Sequence, residues 1–253
     1  MSKVLGVIPA RYGSSRLPGK PLADICGKPM IQWVYERTVD VLATTVVATD
    51  DQRIYDAVEK FGGIAVMTSK DHISGTLRVA EVAEKYPDYD YYINIQGDQP
   101  LISRDSLEDM INGLYEIDKD DIKVLTLVTK LSISERDKAS VVKISLKHDG
   151  SVLTFSRRIL SYNSYVRGIN LGCPYLKHLG LYGFTKPTLE VIKTLPISCM
   201  EKLEKLEQMT WLYHDIRIET KESNDTSKFS VDTPEDLEKA REIIRRKLNA
   251  KNG

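Results

Sequence analysis

Near its start the chain reads Val4-Leu-Gly-Val-Ile-Pro-Ala-Arg-Tyr-Gly-Ser-Ser-Arg-Leu-Pro-Gly-Lys-Pro-Leu22. Its apolar beginning, residues 4–8, predicts a buried β-strand, which we expect to end at Pro9 because proline brings no backbone donor to a ladder. A loop follows that carries three cations among small residues: Arg11, Arg16 and Lys20. Small residues let the backbone approach a ligand closely, and cations with free amides bind anionic oxygens. This stretch therefore predicts a polyphosphate site at the end of the first strand.

Two standard phosphate-binding motifs do not fit this loop. A Walker A motif has four residues between its glycines and a Ser or Thr after its lysine. Here five residues separate Gly13 from Gly19, and Pro21 follows Lys20. The G-x-G-x-x-G fingerprint of dinucleotide sites is also absent after the strand. The alternative is a solvated basic loop without a ligand. The position of the loop favours a ligand, because open α/β sheets bind ligands at the carboxyl ends of their strands.

The next part of the chain alternates between helical and strand patterns. We expect a helix over 29–42, a strand over 44–49, a helix over 50–61, a strand over 64–68, a helix ending near Lys85 and a strand over 91–96. Such alternation is typical of an α/β protein with a mostly parallel twisted sheet flanked by helices.

The second half of the chain leaves this strict alternation. We expect a helix over 103–117, a strand over 123–130, a hairpin with a type I′ turn at Asp149-Gly150, a strand from His178, one helix over 200–214 and a strand over 216–220. Thr233 and Pro234 predict the start of the last helix. The hairpin predicts antiparallel strands in this half, and the irregular segment 159–174 is typical of a substrate-side or subunit-contact loop.

Composition excludes several classes of protein. Acidic and basic residues balance at 36 each in 253 residues, so no gross charge indicates binding to nucleic acid or to a membrane surface. No apolar run approaches the ~20 residues needed to span a bilayer. The three cysteines are odd in number and lack metal-ligand spacing, and no signal peptide is visible. We therefore expect a soluble cytoplasmic protein with reduced thiols.

Several polar residues follow the predicted strands. Asp98 comes directly after the strand over 91–96, where a carboxylate can hold a magnesium ion on a nucleotide; the alternative is that it only orders the turn. Asp232 precedes the N-cap Thr233 and has no capping role, so we predict it as a second metal ligand. Ser74 is either a helix N-cap or part of a binding loop, and His178 by itself is more typical of a buried structural histidine.

Together these motifs resemble the sugar-acid cytidylyltransferases, and within them the 3-deoxy-manno-octulosonate (Kdo) cytidylyltransferase, or CMP-Kdo synthetase, family. The resemblance begins with the basic stretch from Ile8 to Leu22 and covers nearly the whole chain. Its further motifs are Ser74-Gly-Thr, Asn94-Ile-Gln-Gly-Asp-Gln-Pro-Leu-Ile, Phe155-Ser-Arg, Lys177-His-Leu-Gly-Leu-Tyr-Gly, Leu206-Glu-Gln and Val231-Asp-Thr-Pro-Glu-Asp-Leu.

The resemblance implies a Rossmann-like nucleotidyltransferase fold of the GT-A type in a single domain, 1–253. Residues 1–130 would mainly bind the nucleotide, and 131–230 would bind the sugar and form a homodimer. The reaction implied is transfer of CMP from CTP to Kdo, with release of pyrophosphate, for lipopolysaccharide or capsule biosynthesis. The cofactor implied is Mg²⁺, as one or two ions.

The resemblance also implies roles for individual residues. Catalysis would depend on Arg11, Lys20, Asp98 and Asp232, with Asp98 and Asp232 as metal ligands. The nucleotide would be bound by Ala10, Arg11, Ser14, Arg16, Lys20, Ser74 and Arg78. The sugar acid would be bound by Gln96, Gln99, Arg157, His178, Tyr182, Glu207 and Gln208.

One position departs from the family pattern. The family usually reads Gly-Asp-Glu-Pro where this chain has Gly97-Asp98-Gln99-Pro100. An amide in place of a carboxylate removes a charge and adds a donor, which suggests an altered acceptor such as 8-amino-Kdo or another sugar acid. Two other classes stay open: a nucleotidyltransferase that acts on a sugar 1-phosphate, and a nucleotide-binding module without catalysis.

Overall fold

A computed structural model describes residues 3–14, 16–158, 176–225 and 229–251. Its strands are β1 Val4–Ala10, β2 Asp24–Ile25, β3 Lys28–Pro29, β4 Thr45–Thr49, β5 Ala65–Met67, β6 Tyr91–Asn94, β7 Lys123–Lys130, β8 Lys143–Leu146, β9 Val152–Ser156, β10 Leu176–Thr185 and β11 Arg217–Glu222. Its helices are α1 Met30–Val39, α2 Gln52–Lys60, α3 Gly75–Lys85, α4 Arg104–Leu114, α5 Lys186–Ile192, α6 Cys199–Glu204, α7 Gln208–Tyr213 and α8 Pro234–Lys251, with 3-10 turns at Lys20–Leu22 and Ile133–Glu135.

The described residues form two compact units. The first contains the described residues up to Glu108 and those from residue 229 onward, and the second contains the described residues from Asp109 to 225. The prediction of a single domain with halves at 1–130 and 131–230 stays a prediction. In the described part of the chain, no helix is both long and apolar enough to cross a bilayer.

The first unit is built on four parallel strands in the order β6-β1-β4-β5. Strands β1, β4 and β6 consist almost entirely of buried residues, as expected where helices cover both faces of a parallel sheet. The last helix, α8, packs its apolar residues against the region around β2 and α1; this cluster includes Ile25, Met30, Trp33, Leu237, Ala240 and Ile244. The predicted parallel sheet flanked by helices is therefore confirmed.

The prediction that Pro9 ends the first strand is wrong. Strand β1 continues to Ala10, and Pro9 pairs with Ala48 of β4. The amide of Ile95 donates to the carbonyl of Val7, so Val7 faces β6, and Pro9, two residues on, faces the same side. The β6 ladder ends at Val7, which means that the missing donor of Pro9 removes no ladder hydrogen bond.

Side-chain caps begin three helices of the first unit, α2, α3 and α8, where the sequence predicts them. Asp51 caps α2 by accepting from the amide of Arg53, and Ser74 caps α3 by accepting from the amide of Leu77. Thr233 accepts from the amide of Asp236 at 3.2 Å, and Pro234 is the first residue of α8. These caps satisfy amides that have no partner within the helix.

The second unit contains the predicted antiparallel strands. Strand β10 pairs antiparallel with β7 and β8, and β8 with β9, while β11 runs parallel to β7. The predicted hairpin is confirmed, but its type I′ turn is wrong. Of the two residues predicted at its centre, only Gly150 has a positive φ, and the Asp149 carboxylate accepts from the amide of Ser151. The amide of Gly150 donates to the carbonyl of Lys147 at 3.1 Å, so the turn is centred on His148 and Asp149 and is followed by the left-handed Gly150.

The prediction of one helix over 200–214 is wrong. Lys205 has a φ of 54° and separates α6 from α7. The Glu201 carboxylate of α6 accepts a hydrogen bond from the hydroxyl of Thr210 in α7, across this break. Leu203, an apolar residue of α6, is 76% exposed. No glycine or proline marks this break, so the periodic pattern conceals it.

Candidate active site

The basic loop leaves the buried end of β1 and returns at Lys20. Arg11 and Arg16 are exposed, and the Ser14 hydroxyl accepts from the amide of Leu17 at 3.4 Å. Ala10 is buried at the end of β1. The loop is closed by a hydrogen bond from the amide of Gly19 to the carbonyl of Tyr12 at 3.1 Å. Cationic side chains are thus displayed along a short turn at the carboxyl end of a central strand.

Lys20 brings two distant carboxylates together. Its Nζ lies 2.8 Å from Asp98 Oδ2 and 3.3 Å from Asp232 Oδ1. Arg16 adds a contact of 3.1 Å from its Nη2 to Asp232 Oδ1. Four predicted residues, from three separate parts of the chain, therefore lie in one cluster, which we call the carboxylate–lysine cluster: Arg16, Lys20, Asp98 and Asp232.

Backbone contacts hold the two carboxylates in place. Asp98 follows β6 after Gly97, and a Cβ on Gly97 would lie only 2.9 Å from the carbonyl oxygen of Pro9. Glycine therefore allows the segment after β6 to approach the end of β1. The amide of Val231 donates to the carbonyl of Asp98 at 2.9 Å, which places Asp232 beside Asp98.

The donor set of this cluster fits a magnesium ion bound together with a nucleotide. Asp98 and Asp232 already share one cation, the Lys20 ammonium, so both carboxylates are directed to a common point. Within the described residues no group of three or more His, Cys, Asp or Glu could hold a metal. Mg²⁺ does not require such a cage, since it is commonly bound through one or two carboxylates with phosphate oxygens and water.

Arg78 is committed to contacts within the protein. It is buried, and its Nη2 lies 2.6 Å from Asp50 Oδ2. Its Nη1 donates to the hydroxyl of Thr68 at 2.6 Å and to the carbonyl of Ser69 at 3.0 Å. Through these contacts Arg78 anchors the loop before α3. Its predicted contact with the nucleotide stays a prediction.

Glu81 holds the other side of this loop. Its carboxylate accepts from Lys85 Nζ at 2.7 Å and from the amide of Ser69 at 2.8 Å, and it also contacts His72. Burial by itself would raise the pKa of the Glu81 carboxyl. The hydrogen bonds from Lys85, Ser69 and His72 outweigh burial and lower this pKa to about 2.

We expect Glu81→Gln to make stability less dependent on pH. Because the folded pKa lies below the ordinary value of 4.5, the contribution of Glu81 is present above pH 4.5 and lost as pH falls toward 2. At pH 7 the variant should be less stable by about 1–2 kcal/mol, through weakened charged hydrogen bonds. Urea unfolding at several pH values tests this. Stability curves that stay parallel between pH 4.5 and 2 would contradict the assignment.

Several predicted sugar-binding residues lie in the second unit, in and around an aromatic cluster. The rings of His178 and Tyr182 are 5.0 Å apart, and Tyr182 meets Trp211 edge-on at 5.0 Å. His178 Nε2 lies 3.0 Å from the hydroxyl of Thr126. Burial, with a smaller contribution from the Glu207 carboxylate, raises the pKa of Tyr182 well above its ordinary value, so its phenol stays protonated.

The remaining predicted sugar-binding residues are placed as follows. Gln208 is buried at the start of α7. Arg157 Nη1 donates to the carbonyl of Ala139 at 3.2 Å. Gln96 and Gln99 belong to the first unit, where the amide of Gln99 donates to the carbonyl of Gln96 at 3.1 Å.

Sequence reasoning did not single out Asp50, Arg53 or Tyr12. Asp50 and Asp51 follow β4, so the rule that functional groups gather at strand ends could have drawn attention to them. The stacking of Arg53 on Tyr12 carries no such signal, because Tyr12 lies in the basic loop and Arg53 in the first turn of α2, 41 positions apart in the chain.

Comparisons with known proteins agree with these motifs. A family model described as cytidylyltransferase matches residues 5–218. A 3-deoxy-manno-octulosonate cytidylyltransferase of Escherichia coli is 44% identical over 250 residues, which cover 98% of each chain. The enzyme of the same name from Porphyromonas gingivalis is 41% identical over 252 residues, covering 96% of this chain and 97% of its own.

Solved structures are similar to this chain as well. A CMP:2-keto-3-deoxy-manno-octonic acid synthetase complexed with CTP has a TM-score of 0.86 and 42% identity, covering 97% of this chain and 100% of its own. A cytidylyltransferase from Leptospira borgpetersenii has a TM-score of 0.63 at 20% identity, covering 97% of this chain and 88% of its own; at this identity it supports the fold alone.

Proposed function

This chain belongs to the cytidylyltransferase family, and we propose that it transfers CMP from CTP to 3-deoxy-manno-octulosonate, giving CMP-Kdo and pyrophosphate. The proposal takes its substrates from relatives that match nearly the full length of the chain. The single structural observation that carries it is the carboxylate–lysine cluster, since it gathers residues of three predicted motifs at the carboxyl ends of the central strands.

The reaction joins two anions, so neutralisation of charge is the main task of the protein. The anomeric hydroxyl of the sugar acid attacks the α-phosphorus of CTP, the bond from that phosphorus to the β-phosphate oxygen breaks, and pyrophosphate leaves with the electron pair. Arg11, Arg16 and Lys20 would bind the triphosphate oxygens and stabilise the negative charge that builds on the departing pyrophosphate. Ala10 and the hydroxyls of Ser14 and Ser74 would complete the nucleotide contacts.

Asp98 and Asp232 would hold Mg²⁺, as one or two ions, in place of the Lys20 ammonium. When bound, Mg²⁺ polarises the α-phosphate and lowers the pKa of the attacking hydroxyl. Lys20 would then be available to bind the phosphates, because Asp98 and Asp232 would hold the ion instead of the Lys20 ammonium. A direct displacement requires no covalent enzyme intermediate, so positioning and electrostatics supply most of the catalysis.

The sugar acid would be bound by hydrogen bonds from polar side chains of the second unit. Tyr182 is a phenol at neutral pH and would donate a hydrogen bond; burial raises its pKa further above the ordinary value of 10.0. His178, Glu207, Gln208 and Arg157, which also belong to the second unit, would contribute further hydrogen bonds. We also propose, on the family resemblance, a cytoplasmic homodimer that serves lipopolysaccharide or capsule biosynthesis. The irregular segment 159–174, predicted as a substrate-side or subunit-contact loop, lies outside the described residues.

Pyrophosphate release tests this function. We expect release with CTP, Mg²⁺ and Kdo, and little release with UTP or GTP and a sugar 1-phosphate. Release only with a sugar 1-phosphate would assign the chain to the other nucleotidyltransferases. Binding of CTP without release with any sugar acid would indicate a nucleotide-binding module.

Gln99 allows a finer test of the acceptor. Its side chain is buried next to the predicted metal ligand Asp98, where an amide and a carboxylate differ by a full charge. If Gln99 adapts the enzyme to 8-amino-Kdo, the wild type should prefer that sugar over Kdo, and Gln99→Glu should shift the preference toward Kdo. An unchanged ratio of kcat/KM values for the two sugars would remove the basis of this proposal.

A further inference from the structure

The ring of Tyr12 braces the basic loop next to Lys20. Gly19 has a φ of 68°, in the left-handed region that favours glycine. A Cβ on Gly19 would lie 3.1 Å from both Cζ and Oη of Tyr12, so the ring lies directly against the Gly19 backbone. Together with the backbone hydrogen bond between the same two residues, this contact sets the position of the residue that precedes Lys20.

Arg53 covers the Tyr12 ring. Its Cζ lies 3.3 Å from the ring centroid, as in a cation–π stack. The same guanidinium donates to both carboxylate oxygens of Asp51, from Nε to Oδ1 at 2.9 Å and from Nη2 to Oδ2 at 2.7 Å. A planar guanidinium can stack on a ring and form such a fork at the same time, whereas an ammonium cannot.

Asp51 connects this stack to the scaffold. It caps α2 by accepting from the amide of Arg53 at 3.0 Å, and its own amide donates to Thr49 Oγ1 at 3.2 Å, at the end of β4. A continuous path of contacts therefore leads from the sheet and the first turn of α2, through Arg53 and Tyr12, to the loop that carries Lys20.

We propose that Tyr12 and Arg53 are positioning residues for the polyphosphate site. They hold the basic loop, before CTP binds, in the conformation that presents Lys20. This inference rests on the proposed binding of CTP by that loop. Neither residue needs to touch the nucleotide, since Arg53 acts on the ring and the ring acts on Gly19.

Loss of the Tyr12 ring or of the Arg53 stack, which together we call the brace, should affect CTP binding more than turnover. If the basic loop also populates other conformations, only a fraction of the molecules is ready to bind CTP. The apparent affinity for CTP then falls in proportion to that fraction. If that fraction falls to about one tenth, the Kd and the KM for CTP rise about tenfold. The bound triphosphate restores the loop, so kcat should stay within about threefold of the wild type and the KM for Kdo within about twofold.

The experiment compares substitutions at both positions. Tyr12→Leu removes the ring and Arg53→Met removes the stack, whereas Tyr12→Phe keeps the ring and should keep the affinity for CTP. Lys60→Met, at the other end of α2, removes an exposed cation as a matched control. We expect calorimetric Kd values for CTP to rise about tenfold in Tyr12→Leu and about fivefold in Arg53→Met, with KM values in parallel and no change in the control.

A double-mutant cycle tests whether Arg53 acts through Tyr12. If it does, Arg53→Met should weaken CTP binding less than twofold in the Tyr12→Leu background. Full additivity, or a Tyr12→Leu variant with unchanged affinity for CTP, would overturn the inference. A lower unfolding temperature without a change in CTP affinity would overturn it too. Calorimetry with CTP needs no turnover, so a wild type that binds CTP but releases no pyrophosphate would refute the proposed reaction while the brace could still be measured.

Discussion

Asp98→Asn is expected to lower pyrophosphate release at saturating CTP and Kdo by about 100- to 1,000-fold. Asp98 is the carboxylate nearest to Lys20 Nζ and one of two predicted magnesium ligands. The amide keeps the shape of the side chain but removes the charge that would attract the ion. Loss of several kcal/mol of charge stabilisation at the reacting phosphate corresponds to this factor.

Folding should be little affected by this substitution. Lys20 keeps Asp232 as a partner, and exposed or half-exposed ion pairs contribute at most about 1 kcal/mol. Asp105→Asn in the first turn of α4 removes an exposed carboxylate elsewhere and should leave turnover unchanged. Full turnover in Asp98→Asn would refute its assignment as a metal ligand. A large fall in the unfolding temperature of Asp98→Asn would attribute its lost turnover to lost stability instead.

Lys20→Met should affect turnover and metal binding in opposite directions. Turnover should fall about 100- to 1,000-fold, because the variant loses a cation that would stabilise the departing pyrophosphate. In the protein without nucleotide, however, the ammonium competes with Mg²⁺ for Asp98 and Asp232. Its removal leaves two carboxylates close together, which should bind Mg²⁺ or Mn²⁺ more tightly than the wild type does.

Titration calorimetry with Mn²⁺ alone checks the second effect without any reaction. Lys28→Met is a suitable control, because Lys28 donates to both oxygens of Glu36 at 2.8 and 2.7 Å, away from the carboxylate–lysine cluster. The control should show wild-type turnover and metal affinity. Equal or weaker metal binding in Lys20→Met would show that the ammonium does not compete for this position.

Much of the fold could be predicted from local pattern. Continuous apolar runs specify buried parallel strands, and residues such as Asp51, Ser74 and Thr233 start helices by bonding amides a few positions away. These interactions are short in sequence, so a single window contains both partners. The strand end predicted at Pro9 is wrong because the effect of a proline depends on which neighbouring strand it faces. The helix predicted across Lys205 is wrong because the break there depends on contacts outside a single sequence window.

In the candidate site, too, local sequence determines some features and tertiary structure determines others. The sequence alone was sufficient to nominate Lys20, Asp98 and Asp232, since each occurs in a motif at the end of a strand or the start of a helix. Only the tertiary structure decided that Lys20 lies between carboxylates 78 and 212 residues away. It also decided that Arg78 is buried against Asp50, and that Arg53 stacks on Tyr12. The physical reason is that charge pairing and stacking act over a few ångströms in space, and the order of strands in the sheet determines which distant residues come that close.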